Sequence, residues 1–160
     1  MCPLSIIKAF EKRSENFKNH KLLIVGRKGW YKDLENYLKN YDADDIICLD
    51  YVPDSQLFSL YKNTYGFISA SIYEGFGMPL IEARFCGCPR IYCSEINVYG
   101  EINLEDVIYF NPDSVQDIID RVFTVNTKPF TENSNRIDFF TLDNISIHFK
   151  NILRKVVRYE

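Results

Sequence analysis

YGFISASIYEGFGMPLIEARFCGCPRIYC, residues 65 to 93, changes its local order repeatedly. Tyr65 to Ala70 is a short apolar run bounded by turn formers, the pattern of a strand covered on both faces. Ser71 to Gly77 is a loop, and Pro79 stands where proline fits the first turn of a helix that stops at Gly87. Arg90 to Cys93 is apolar again, a second strand. A strand, a helix and another strand in so short a span predict a parallel crossover unit.

The alternation extends in both directions. Toward the N-terminus, Pro3 opens a helix to about Asn16 with Leu4, Ile6, Ile7 and Phe10 along one side. Lys21 to Val25 is the next strand, ending at Gly26. Leu34, Tyr37, Leu38 and Tyr41 then recur at helical spacing, and Ile46 to Leu49 is a strand. Asp54 is expected to cap a helix that carries Leu57, Phe58, Leu60 and Tyr61 and stops at Asn63. Toward the C-terminus, Val107 to Phe110 is a strand, Ser114 a cap and Val115 to Val125 a helix. Residues 128 to 136 are polar and loop-like. Asp143 opens a terminal helix with Ile145, Phe149, Ile152, Leu153 and Val156 on one side. The fold class is α/β: a Rossmann-like parallel sheet with helices on both faces and ligands at the carboxyl ends of the strands.

Composition narrows the function. The chain has 160 residues, 46% hydrophobic and 26% charged, as a globular domain does. Nineteen basic residues against 22 acidic ones leave a formal charge of -3, and the basic residues form no stripe along which a phosphate backbone could run. Nucleic acid is not an expected partner. Lys150, Arg154, Lys155 and Arg158 on the terminal helix allow peripheral contact with an anionic membrane, though a solvated face has the same pattern. Without a long apolar run or a leader at the start, the expectation is a cytoplasmic chain with reduced, buried thiols. Cys86 and Cys88 lack the second pair or the nearby histidines that zinc requires, so no metal site is expected.

The chemistry concentrates after the strand at Tyr65. Gly75 and Gly77 allow a tight backbone and close approach to a ligand, and the helix beginning near Met78 aims backbone N–H groups into the same space. That is an anion site. Side chains on a helix tilt toward its N-terminus, so Glu82 points back toward the anion, where a carboxylate can take two neighbouring ribose hydroxyls. Glu74, on the loop, can reach a hydroxyl of a sugar. The same residues also have a structural reading, with Glu82 favouring the helix dipole and the glycines shaping a loop. Arg27 and Lys28, after the strand ending at Gly26, are the candidate cations.

Glu-Gly-Phe-Gly-Met-Pro-Leu-Ile-Glu-Ala followed by Cys-Gly-Cys-Pro resembles the Glu-x7-Glu signature of the group 1, retaining GT-B glycosyltransferases. The resemblance extends through Phe10, Leu22 to Gly26, Val52 to Tyr61, Glu101 and Phe110 to Asp113, and covers essentially the whole chain as that family's C-terminal half. It implies that Glu82 binds the nucleotide ribose, that Glu74 is the catalytic-site carboxylate on the donor sugar, and that Gly75, Phe76, Gly77 and Met78 hold the diphosphate and sugar by their backbone. Val52 and Pro53 are implied to lie near the base. The substrate implied is a nucleoside-diphosphate sugar, transferred with retention and without a metal or other cofactor.

Counted against that family's pattern, residues 1–160 begin after its first strand and its phosphate-binding lysine and arginine. The expectation is therefore a donor-binding domain that is inactive without an acceptor-binding domain supplied separately. A homo-oligomer through the helix at 140–160 is the other expected assembly. Two alternatives remain open from sequence: a non-catalytic nucleotide-sugar-binding module, and a sugar-nucleotide epimerase-like GT-B domain. No histidine near Glu74 or Glu82 serves the acid-base chemistry of the second.

Overall fold

The computed structural model describes residues 3–26, 32–39, 41, 44–97 and 107–124. Its elements run α1 (Pro3–Glu11), a single 3-10 turn (Glu15–Phe17), β1 (Leu22–Val25), α2 (Lys32–Lys39), β2 (Ile46–Leu49), α3 (Asp54–Asn63), β3 (Phe67–Ser69), α4 (Met78–Phe85), β4 (Ile91–Ser94) and β5 (Val107–Phe110). α5 (Val115–Ile118) follows and continues as a π-helical stretch, Ile119–Thr124. Arg27 and the terminal helix at 140–160 lie outside the described residues.

Among the described residues every strand pair is parallel, as the crossover pattern predicts. β1 runs beside β2 with Leu22 opposite Ile46 and Val25 opposite Leu49. β3, β4 and β5 form the other ladder, with Phe67 opposite Ile91 and Ile91 opposite Val107. Two ladders, not one continuous sheet, are present among the described residues.

The pleat sends alternate side chains into separate cores. Tyr92, Ile108 and Phe110 join Phe10 of α1 with Ile118, Val122 and Phe123 of the last helix. Ile91, Cys93, Val107 and Tyr109 join Tyr61 of α3 and Leu80 and Ala83 of α4. All four residues of β4 are buried, so a central strand feeds both helical layers, and the doubly covered α/β class follows from that.

Several boundaries differ from the sequence reading, each for a local reason. α1 ends at Glu11, and beyond it Arg13 takes up two carbonyls: its Nη1 donates to Phe10 O at 3.0 Å, one a longer helix would use, and its Nε to Phe17 O at 3.0 Å. The same guanidinium pairs with Asp45 and lies 4.0 Å from the Phe10 ring centroid. Ser14 then crosses to the far end of the described chain, its Oγ donating to Phe123 O at 2.7 Å. Pro53, not Asp54, caps α3: Pro53 O accepts from the Gln56 and Leu57 N–H groups at 2.9 Å each, and Asp54 sits in the first turn, where the dipole favours it. Ser114 caps as expected, accepting from Asp117 N–H at 3.2 Å.

Cys88 and Cys93 are buried, but Cys48 is exposed, against expectation. It lies on β2, in the two-stranded ladder, where an apolar run of four residues does not guarantee cover on both faces.

Candidate functional site

The loop between β3 and α4 is fastened from below by hydroxyls. Ser69, Ser71 and Ser94, at the ends of β3 and β4, are at most 1% exposed. Ser94 Oγ donates to Ser71 O, and Ser69 Oγ donates to Ser71 Oγ at 3.5 Å. Ser71 Oγ in turn donates to Glu74 Oε1 at 2.5 Å. The chain of donors ends on a carboxylate, which holds Glu74 half-buried on the loop.

Gly77 is the N-cap of α4 with φ 76° and ψ 34°, the left-handed region that costs other residues about 1–2 kcal/mol. Its carbonyl accepts from Leu80 N–H at 3.1 Å and Ile81 N–H at 3.4 Å, so the candidate anion donors here narrow to the backbone from Gly75 to Met78. At the other end Gly87, φ 77°, closes the helix: Cys88 N–H donates to Ala83 O and Gly87 N–H to Arg84 O, a paired C-terminal cap. Both glycines that bound α4 are conformational requirements, which fixes where Glu82 sits along it.

Gly75 is different. It is exposed, its φ is not left-handed, and a Cβ there meets nothing within 4 Å. Gly75→Ala is therefore expected to leave unfolding free energy within about 0.5 kcal/mol of wild type while weakening a ligand that approaches the backbone. Denaturation and calorimetry on the same variant test this. Unchanged binding would remove Gly75 from the site.

Glu82 is half-buried, and burial raises its pKa above the ordinary carboxylate value, with the negative charge of Asp54 adding to the effect. α4 packs against α3, and Glu82 shares a cavity wall with Leu57 and Tyr61 of that helix. A raised carboxylate pKa favours the folded state most at low pH, and this contribution is lost as pH rises from the unfolded value through the folded one. For a ligand hydroxyl the expectation runs the other way, since the ionised carboxylate is the better acceptor. Nucleotide affinity is thus expected to fall on acidification at a higher pH than for an unperturbed glutamate, and to lose that step in Glu82→Gln. A titration of affinity against pH checks it.

Glu74, Gly75, Phe76, Gly77, Met78 and Glu82 thus lie on one strand-to-helix junction, with Val52 and Pro53 at the neighbouring helix start. The serine brace was missed from sequence: serines end strands and fill loops in many folds, and nothing in Ser69-Ala-Ser71 distinguishes a brace. Asp54 was read only as a cap. Also unforeseen is an apolar rim on the same loop, with Ile72 57%, Tyr73 88%, Phe76 50% and Met78 50% exposed.

Comparison with known proteins bears on this geometry. The family described as glycosyl transferases group 1 matches residues 3–138, from the first helix past the last described one. The chain belongs to that family. Among group 1 relatives, a serotype-specific mannosyltransferase, WbdA, of Escherichia coli is 33% identical over 153 residues, 87% of this chain and 19% of the relative. The O-antigen chain mannosyltransferase B of Escherichia coli is 33% identical over 106 residues, 65% of this chain and 28% of the relative. The O-antigen chain mannosyltransferase RfbU of Salmonella typhimurium is 32% identical over 93 residues. The group 1 chain described here therefore spans well under a third of these relatives' lengths. Membership sets the epimerase-like alternative aside. Among the described residues no helix is long and apolar enough to cross a membrane.

Proposed function

We propose that this chain is the donor-binding half of a group 1 glycosyltransferase, taking a nucleoside-diphosphate sugar and passing the sugar on with retention to an acceptor held by another domain or chain. The observation that carries this is the pair of carboxylates flanking Gly77: Glu74 braced by buried Ser71, and Glu82 on α4 against α3. Glu82 takes the ribose hydroxyls and Glu74 a hydroxyl of the transferred sugar. Between them, the backbone from Gly75 to Met78 and the dipole of α4 meet the diphosphate, whose charge grows as the bond to the sugar breaks. Arg27 adds a cation, and no metal is needed.

The names of the relatives point to mannose as the sugar and to surface polysaccharide as the product. The exposed rim from Ile72 to Met78 is the wall that faces the acceptor-binding half. A panel of GDP, UDP and ADP with their mannose and glucose conjugates tests the donor. One mannose conjugate at about 100 times its Kd is expected to add roughly 2.7 kcal/mol, a rise in Tm of about 5–10 °C. A panel in which nothing moves the Tm would sink the donor reading. Equal gains from bare nucleotide and conjugate would favour a nucleotide-binding module.

A further inference from the structure

Asp54 opens α3 yet does not cap it. Its side chain takes no capping hydrogen bond, Pro53 O accepts the Gln56 and Leu57 N–H groups instead, and among the described residues the Asp54 carboxylate has neither a hydrogen-bond donor nor a cation as partner. Asp50, four residues earlier, differs: its Oδ1 accepts from Tyr51 N–H at 3.0 Å. An aspartate at a helix start ordinarily turns its oxygens to the backbone, whereas exposed Asp54 leaves both of its own to solvent.

Helical spacing places that carboxylate. Asp54, Leu57 and Tyr61 stand at i, i+3 and i+7, one stripe along α3. Leu57 and Tyr61 pack with Leu80 and Ala83 of α4, and they line the same cavity as Pro79 and Glu82, so the stripe is the face turned to α4. Asp54 continues it by one turn toward the N-terminus, the direction in which helical side chains tilt. α3 and α4 start from the carboxyl ends of β2 and β3, the edge at which open α/β sheets hold their ligands. Asp54 therefore stands at that edge, on the side of α3 that faces α4, and its negative charge adds to the raised pKa of Glu82.

A nucleotide fixes the order in which its parts meet these elements. With the diphosphate on the backbone from Gly75 to Met78 and the ribose on Glu82, the base lies on the far side of the ribose from the phosphates, toward the start of α3. A carboxylate accepts and cannot donate. Guanine alone among the common bases sets two donors side by side, N1–H and the 2-amino group, to match two carboxylate oxygens. Uracil offers one N–H between two carbonyls, and adenine and cytosine each place the amino group beside a ring-nitrogen lone pair. Each of those three sets an acceptor against the carboxylate.

We propose that Asp54 reads the base and selects guanine, its two oxygens accepting from N1–H and the 2-amino group of a nucleotide whose ribose is on Glu82. The assignment rests on the donor reading above and adds the nucleotide to it.

Calorimetry on the full chain, wild type and Asp54→Asn, with guanosine, inosine, xanthosine, uridine and adenosine diphosphates tests it. Inosine diphosphate lacks the 2-amino group. Xanthosine diphosphate carries a carbonyl there, which an asparagine amide can meet with its own N–H while its oxygen still takes N1–H. Wild type is expected to bind guanosine diphosphate about tenfold or more tighter than the other four. Asp54→Asn is expected to lose about tenfold for guanosine diphosphate and to bind xanthosine diphosphate more tightly than it, a gain that a damaged fold cannot produce. A wild-type chain that binds none of the five overturns the donor reading and this one with it. Uridine or adenosine diphosphate bound at least as tightly as guanosine diphosphate overturns this proposal alone. So does a guanosine preference that survives in Asp54→Asn, an equal loss for all five nucleotides, or a loss for guanosine diphosphate with no gain for xanthosine diphosphate.

Discussion

Phe10→Ala is expected to lower the unfolding free energy by about 3–5 kcal/mol, a large part of what a domain of this size possesses. The side chain is 2% exposed and stands edge-on to Phe123, ring centroids 5.6 Å apart. Its loss opens a void between α1, Tyr92 and the last helix, and strips Arg13 of the ring beneath its guanidinium. Arg13 would still hold the Phe10 and Phe17 carbonyls, so the damage is to packing more than to hydrogen bonding. Phe10→Leu, which keeps most of the volume, is expected to cost much less. Urea unfolding at equilibrium measures both. A loss below about 1 kcal/mol for the alanine variant would show that α1 is not part of the cooperative core.

The other large effect concerns the ligand. Glu82→Ala is expected to weaken nucleotide binding by about 1.5–3 kcal/mol, roughly 10- to 150-fold, as one charge-assisted pair of hydrogen bonds disappears. Glu74→Ala is expected to spare free nucleotide and to weaken only the sugar conjugate, by a similar amount. The asymmetry follows from position: Glu82 lies on α4 against α3, and Glu74 is tied through Ser71 to the ends of β3 and β4. Calorimetry with nucleotide and conjugate separates the roles. Both variants binding the conjugate like wild type would refute the assignment of the pair.

Much of this was legible because apolar runs of four residues between turn formers announce covered strands, as Ile46 to Leu49 and Ile91 to Ser94 do. The site was legible because proline, glycine and glutamate each carry a separate physical constraint, and the three meet at one junction. What stayed hidden depends on contacts far apart in sequence. Nothing near Glu11 says that α1 stops there, since the arginine just beyond it is held by Asp45, far away in sequence. The exposure of Cys48 depends on what covers β2, a matter of tertiary packing and not of local pattern. The serine brace joins Ser71 to Ser94 across two strands, and neither residue announces the other.

The bond from Ser14 to Phe123 also bears on how the chain reaches this fold. It joins residues 109 apart, and closing a loop of that length costs about 4 kcal/mol in chain entropy beyond the fixed cost of closure. β3, α4, β4 and β5 need only short closures and can assemble first, leaving α1 to dock onto a finished wall. The loss in Phe10→Ala should then fall on the unfolding rate and leave the folding rate nearly unchanged, with a φ-value near zero. Stopped-flow measurements that found folding slowed instead would place α1 in the nucleus. With late docking, the first helix in the sequence is among the last pieces to become native.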